Sequence, residues 1–307
     1  MMAMLEKPIW ELILQKMNIK LLFDQILNGI VLGSMYALFA SGLTLIWGTM
    51  RMLNFAHGEL YMLGGYFVYF ATSFLGLSQI IAIPLAVISC FLFGMICERV
   101  IIHPLLNRPE WDANAIIVTL GLSVCLQNFA LIAWGERYKN VPYFINGILQ
   151  FYGMRIAYQR LLIVVIAFIA IMSVLFFLKK TRFGMAIRAT AQNREGSIII
   201  GIDFHKIYLI TFGISSGLTG LSAAMLVPIS GINPWIGTSI LLKAFVVAVL
   251  GGLGSFGGAI LAGIALGMVE SVSLILFSSQ WKDIFSFVIL IVVLATRPSG
   301  FFGQKEW

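Results

Sequence analysis

The chain has 307 residues, 60% of them hydrophobic and 11% charged, with a net charge of +7. A water-facing globule carries about a quarter charged residues, so this composition excludes a soluble domain and leaves a single membrane body. The basic excess does not mark a nucleic-acid binder, because Lys and Arg fall in short breaks between apolar runs, where positive-inside topology puts them.

Residues 1–20 mix Glu6, Lys7, Glu11, Lys16 and Lys20 among apolar residues, without the basic, apolar, small-residue order of a cleaved signal. They read as an amphipathic segment on the membrane surface. Residues 21–307 read as one all-α transmembrane domain. A bilayer core needs about 20 apolar helical residues to cross it, which makes charge-free windows a ruler. Asp24 to Arg51 encloses one span, and Glu59 to Glu98 encloses two short ones, with Pro84 near the start of the second. Asp112 to Glu136 and Arg160 to Lys179 enclose one each. Lys206 to Lys243 holds a span and a loop built on Ile232-Asn233-Pro234-Trp235, and the remainder supplies two or three more. The expectation is a polytopic protein of about 8–10 helical segments, some of them broken or re-entrant.

Orientation follows from the connection at 179–206, where Lys179, Lys180, Arg182, Arg188, Arg194 and Lys206 outnumber Glu195 and Asp203. This connection belongs in the cytoplasm and that at 135–160 outside, with 98–112 again inside. With one glycine and no proline, Arg182 through Glu195 is predicted as a short surface helix, offering a shaped docking surface.

Gly29 and Gly33, Gly213 and Gly217, Gly254 and Gly258, and Gly263 and Gly267 are spaced as GxxxG, which lets helix backbones approach. The first two pairs each open a helix followed by an Asn-bearing break (Asn54, Asn233) and a Gly-rich segment, the pattern of an internal repeat.

Gly252-Leu-Gly254-Ser-Phe-Gly257 is formally GxGxxG after the strand-like Phe245–Leu250. It lacks the alternating βαβ series and the acidic residue of a dinucleotide site, and reads instead as a break in a membrane helix. The chain has no Walker A motif, so any ATP hydrolysis belongs to another subunit. Asn54-Phe-Ala-His57-Gly58-Glu59 interrupts an apolar run. These polar groups either face a cavity or cap a helix at the interface. His57 and Glu59 have no second His or Cys cluster, so no metal is expected. Lys243 either pairs with Glu59 or Glu270 or extends to the headgroups. Cys90, Cys97 and Cys125 sit in apolar stretches as small hydrophobes. With no nucleophile–base–orienter cluster and no cofactor fingerprint, the sequence does not describe an enzyme.

NFAHGE at 54–59 with YMLGG following, RATAQN at 188–193 leading to Gly201-Ile202, INPWIG at 232–237, and KAFVVAVLGGLGSFGGA at 243–259 together resemble LivH-type permeases of bacterial branched-chain amino-acid ABC importers. The similarity runs from about residue 24 to 300. It implies a multi-pass subunit of the bacterial inner membrane, surrounded by lipid. Its partners would be a second, related permease (LivM-type), two cytoplasmic ATPases (LivG/LivF-type) and a periplasmic binding protein. It also implies that Arg182, Gly184, Arg188, Ala189, Asn193, Gly201 and Ile202 contact the ATPases. Asn54, His57, Glu59, Asn233, Lys243, Gly251, Gly252 and Gly254 are expected near the translocation pathway. Urea and short-amide importers use similar permeases, and an ion-coupled transporter relying on Glu59 and Glu270 is the rival mechanism.

Overall fold

In the computed structural model, residues 19–106, 108–151, 154–276, 281–297 and 299–303 are described. The amphipathic segment expected at the N-terminus lies outside them, apart from its last two residues. Among the described residues the long helices are Ile19–Met50 (α1), Gln79–Cys97 (α3), Trp111–Trp134 (α4), Tyr158–Lys180 (α5), Phe204–Ser230 (α8) and Phe256–Leu276 (α10). Six helices among the described residues are long and apolar enough to cross a bilayer. His57–Ser73 (α2), Ile236–Gly251 (α9) and Lys282–Thr296 (α11) are shorter. The protein is therefore an all-α, multi-pass membrane protein with discontinuous segments, as its charge-free windows indicate.

Phe245–Leu250 is helical within α9, as the reading of this stretch as a broken membrane helix expects, because an isolated strand at membrane depth would leave its backbone groups unpaired. Three details differ from the sequence expectation. The segment 98–105 continues α3 as a π turn, Glu98–Ile102, and a 3-10 turn, His103–Leu105. The connection after α4 carries a hairpin of Ile148–Phe151 (β1) and Met154–Ala157 (β2), with Ile148 opposite Ala157. The predicted surface helix is two helices, Arg182–Gln192 (α6) and Arg194–Ile199 (α7). They are split where Asn193 turns extended and caps α7, accepting from Gly196 N at 2.9 Å.

The core is built on α1 and α8, whose apolar windows are 89% and 83% buried. α1 packs chiefly on α10, and α8 packs chiefly on α3. At the first seam Gly29 and Gly33 meet Gly263 and Gly267. A Cβ on Gly33 would lie 2.7 Å from Ile264 Cα, and one on Gly263 would lie 2.6 Å from Ala37 Cα. Glycine is required there because the two backbones touch. At the second seam Gly213 and Gly217 face the ring of Phe91 rather than another glycine pair.

The two seams set α1 and α8 antiparallel to each other. α1 ends beside the α9–α10 turn, with Gly48 against Gly254, while α8 ends beside the α4–α5 connection, where Lys139 and Ile232 exchange two backbone hydrogen bonds. α6 lies at the α1-end side, its Ile187 clustered with Leu45 of α1 and Ile207 of α8. So α1 finishes where α8 starts, and the two run in opposite senses.

Candidate functional site

The breaks after α1 and α8 are built alike. Asn54 Oδ1 accepts from Ala56 N, and Asn233 Oδ1 accepts from Trp235 N, both at 3.0 Å. Each turn then starts a helix three residues after its asparagine, α2 at His57 and α9 at Ile236. Asn and Asp side chains stabilise such turns by bonding their own backbone two residues on. The two new helices cross at their second residues. Gly58 lies on Gly237, where a Cβ on Gly58 would stand 2.8 Å from the Gly237 carbonyl carbon. Neither helix carries a side-chain cap.

Glu59, the next residue, is fully buried at this crossing. Its Oε1 accepts from Gln127 Nε2 at 2.8 Å and from Ser123 Oγ at 3.1 Å, both on α4. Gln127 Nε2 also donates to Thr238 Oγ1 at 2.8 Å, so one amide ties the first turns of α2 and α9 to α4. Glu59 Oε2 has no hydrogen-bond partner among the described residues and faces the Gly237 side of the crossing. His57 is also fully buried. Its Nε2 lies 3.3 Å from Phe39 O and 2.9 Å from Thr219 Oγ1. A carbonyl only accepts, which puts the ring proton on Nε2; Thr219 then accepts it and donates onward to Ser215 O at 3.0 Å. Both residues therefore lie in the protein interior, joining α1, α2, α4 and α8, rather than at a water interface.

Lys243 is elsewhere. Its Nζ lies 3.2 Å from Glu270 Oε2 and 3.3 Å from Tyr36 OH, and its side chain is 14% exposed. Tyr36 OH donates to the same Glu270 oxygen at 2.9 Å, while Ser286 Oγ donates to the other at 2.6 Å. Of the two carboxylates open to it in the sequence, Lys243 takes Glu270. Gly251, Gly252 and Gly254 form the turn from α9 to α10, with φ of +94° at Gly252 and +83° at Gly254. That is a left-handed turn between two membrane helices, not a strand-to-helix phosphate loop. It stands about 21 Å of helical rise from Gly237. The structure thus brings together Asn54, His57, Glu59 and the Asn233 turn, and sets Lys243 and the glycine turn apart from them.

On the α6–α7 face, Thr181 caps α6 by accepting from Gly184 N at 3.0 Å. Gly184 is buried where α6 folds back on α5, and a Cβ there would lie 2.6 Å from Leu178 Cα. Arg182, Arg188, Asn193 and Gly201 are exposed, while Ala189 and Ile202 are half-buried. Gly201 has φ +84° and ends the unit. Asp203 caps α8 through Lys206 N, and its hydrogen bond to Lys206 holds its carboxyl below the usual value. The exposed apolar side chains Phe183, Met185, Ile198, Ile199 and Ile200 share this surface.

Gln127, Ser123, Thr219 and Tyr36 were not among the sequence candidates. The signal for the first two was present: a serine and a glutamine four residues apart on one face of an apolar helix.

A discontinuous helix bundle with two similar Asn-bearing breaks and buried polar groups at the crossing of two short helices is the architecture of a membrane transporter. The sequence matches the family described as branched-chain amino acid transport system / permease component over residues 25–294, and the chain belongs to that family. It is 36% identical over 297 residues to the high-affinity branched-chain amino acid transport system permease protein BraD of Pseudomonas aeruginosa, covering 92% of this chain and 96% of that one. LivH of Escherichia coli K12 is 34% identical with the same coverage. The probable LivH of Methanocaldococcus jannaschii is 25% identical over 97% of this chain. No solved structure matches.

Proposed function

We propose that this chain is one of two permease subunits of an ABC importer in the bacterial inner membrane. It carries branched-chain or related neutral amino acids that a periplasmic binding protein delivers. A second, related permease completes the pathway, and two cytoplasmic ATPases that dock on α6 and α7 drive alternating access.

The observation that carries this reading is a contrast between exposed faces. The bare face of α5 is apolar, with Val165, Phe168, Ile169, Met172 and Phe176 exposed. The bare face of α9 begins with Thr238 and Ser239, beside Gln127 of α4. Polar side chains at membrane depth face a water-filled cavity or a protein partner, so the first turn of α9, with Gln127 beside it, suits the pathway side and α5 suits lipid. Antiparallel α1 and α8 around the Gly58–Gly237 crossing also suit rocking between inward- and outward-open states. On the opposite unit, Arg182, Arg188 and the Ile198–Ile200 run offer a mixed basic and apolar docking face.

The test is a mild-detergent pull-down combined with cysteine labelling. Recovery of two nucleotide-binding subunits and a second permease, with Thr238→Cys and Ser239→Cys labelled in an ATP-dependent way and Phe168→Cys not labelled, is the expected result. Ion-driven uptake by the purified chain alone would replace this reading with a secondary transporter. A co-purifying binding protein that takes urea or amides would replace the solute.

A further inference from the structure

A groove of about 270 Å³ runs between α1 and α5, lined by apolar side chains that include Leu27, Val31 and Val164. Its two charged lining residues are Asp24 and Arg160. They lie near the same ends of their helices, Asp24 five residues into α1 and Arg160 two residues into α5. The apolar lining continues to Val31 and Val165, deeper into both helices. At a rise of 1.5 Å per residue, Val31 lies about 10 Å along α1 from Asp24. The groove is therefore charged at its mouth and dry along its length.

The mouth holds its two charges apart. The Arg160 guanidinium donates to the Asn28 side chain, and Asn28 stands one helical turn along α1 from Asp24, about 6 Å. Asp24 itself has no ion-pair partner among the described residues. A free solute has no use for a dry slot open along the side of two membrane helices, whereas an acyl chain fills it by dispersion and exclusion from water. The charges then decide what head the chain carries. An anionic headgroup would meet Arg160 favourably and Asp24 unfavourably. A phosphate diester bearing a primary ammonium satisfies both, with phosphate oxygens on Arg160 and N–H donors on Asp24.

We infer that the groove between α1 and α5 is a binding site for a phosphatidylethanolamine molecule, whose phosphate meets Arg160, whose ammonium meets Asp24 and whose chain lies along Leu27, Val31 and Val164. The site is on the α5 side of the bundle, away from the polar face of α9, and does not depend on the identity of the transported solute.

Native mass spectrometry of the purified, delipidated protein titrated with defined lipids tests this. The expected result is at least tenfold tighter retention of phosphatidylethanolamine than of phosphatidylglycerol, with phosphatidylcholine, whose quaternary ammonium has no N–H, in between. Asp24→Asn should erase the preference of phosphatidylethanolamine over phosphatidylglycerol, and Arg160→Gln should weaken all three. Val164→Trp, which fills the slot without touching either charge, should remove the retained lipid while leaving the thermal transition of the lipid-free protein within a few degrees. Equal retention of the three lipids by the unmodified protein, or an unchanged preference in Asp24→Asn, would overturn the assignment and leave only ordinary annular lipid.

Discussion

The Lys243–Glu270 pair can be tested by removing its members one at a time and together. At 3.2 Å, two unit charges attract by about 5 kcal/mol gross at an effective dielectric constant near 20, and most of that offsets the cost of taking both out of water. Lys243→Met deletes the attraction but leaves the Glu270 carboxylate fully buried, with the hydroxyls of Tyr36 and Ser286 still donating to it. Removing one member of a buried pair costs about 3–5 kcal/mol. The two remaining hydroxyl donors place this case at the low end, about 3 kcal/mol. Glu270→Gln should cost a similar amount, because it removes the Glu270 charge that the ammonium meets at 3.2 Å. The double variant, Lys243→Met with Glu270→Gln, removes both charges and should fall within about 1.5 kcal/mol of the unmodified protein. Reversible unfolding in mixed micelles, followed by tryptophan fluorescence, measures all four corners of the cycle. A double variant as unstable as the sum of the two singles would refute the pairing and show that Lys243 reaches the headgroups independently of Glu270.

Three further outcomes are expected. Gly33→Val should cost about 1–3 kcal/mol, because its Cβ would stand 2.7 Å from Ile264 Cα, whereas Gly121→Val, with nothing within 4 Å of the new atom, should leave the transition in place. Gln127→Leu should lower stability by about 1.5–3 kcal/mol through the lost hydrogen bond to Glu59, and Glu59→Leu made on that background should add less than it does alone, which a double-mutant cycle reads directly. The Asp203 carboxyl is depressed by Lys206, so its contribution is present above the ordinary carboxylate range and is lost as pH falls through the lowered value. Limited proteolysis at the α7–α8 junction should therefore increase on acidification below about pH 4, and Asp203→Asn, which keeps a capping side chain, should remove that dependence.

Much of the membrane architecture is written in where the charges are absent, because hydrocarbon excludes them in any fold. Pairing was less legible. GxxxG spacing marks four glycine pairs but carries no address, so nothing in the sequence says that Gly29 and Gly33 meet Gly263 and Gly267 while Gly213 and Gly217 meet an aromatic ring. Lys243 had two carboxylates within chemical reason, and only the packing of α9 on α10 selects Glu270. The β-branched run at 245–250 is strand-like in propensity, but its membrane context made the helix legible, because the bilayer leaves no partner for an isolated strand. Asn193 was readable in principle: an asparagine followed within three residues by Glu195 and Gly196 is a helix start, and it divides what composition suggested was one helix. The Asn54 and Asn233 breaks were visible as a faint echo. Their identical turns, and the crossing of Gly58 on Gly237, needed three dimensions.

The exchanged packing of the two halves has a consequence for how the chain is made. α1 is the first described helix to be synthesised, and its principal neighbour, α10, is separated from it by some two hundred residues of chain. Inserted α1 must therefore wait in the bilayer with its glycine seam open until α10 has been made, while α8, which follows α3, finds its neighbour already in place. The nascent protein thus has a long interval in which one half is still incomplete, and the sheltering of α1 falls to the insertion machinery or to transient contacts with lipid. Chains truncated before α10 would lack α1's principal partner and become substrates for membrane quality control, so this permease is committed to its fold only once α10 has been made.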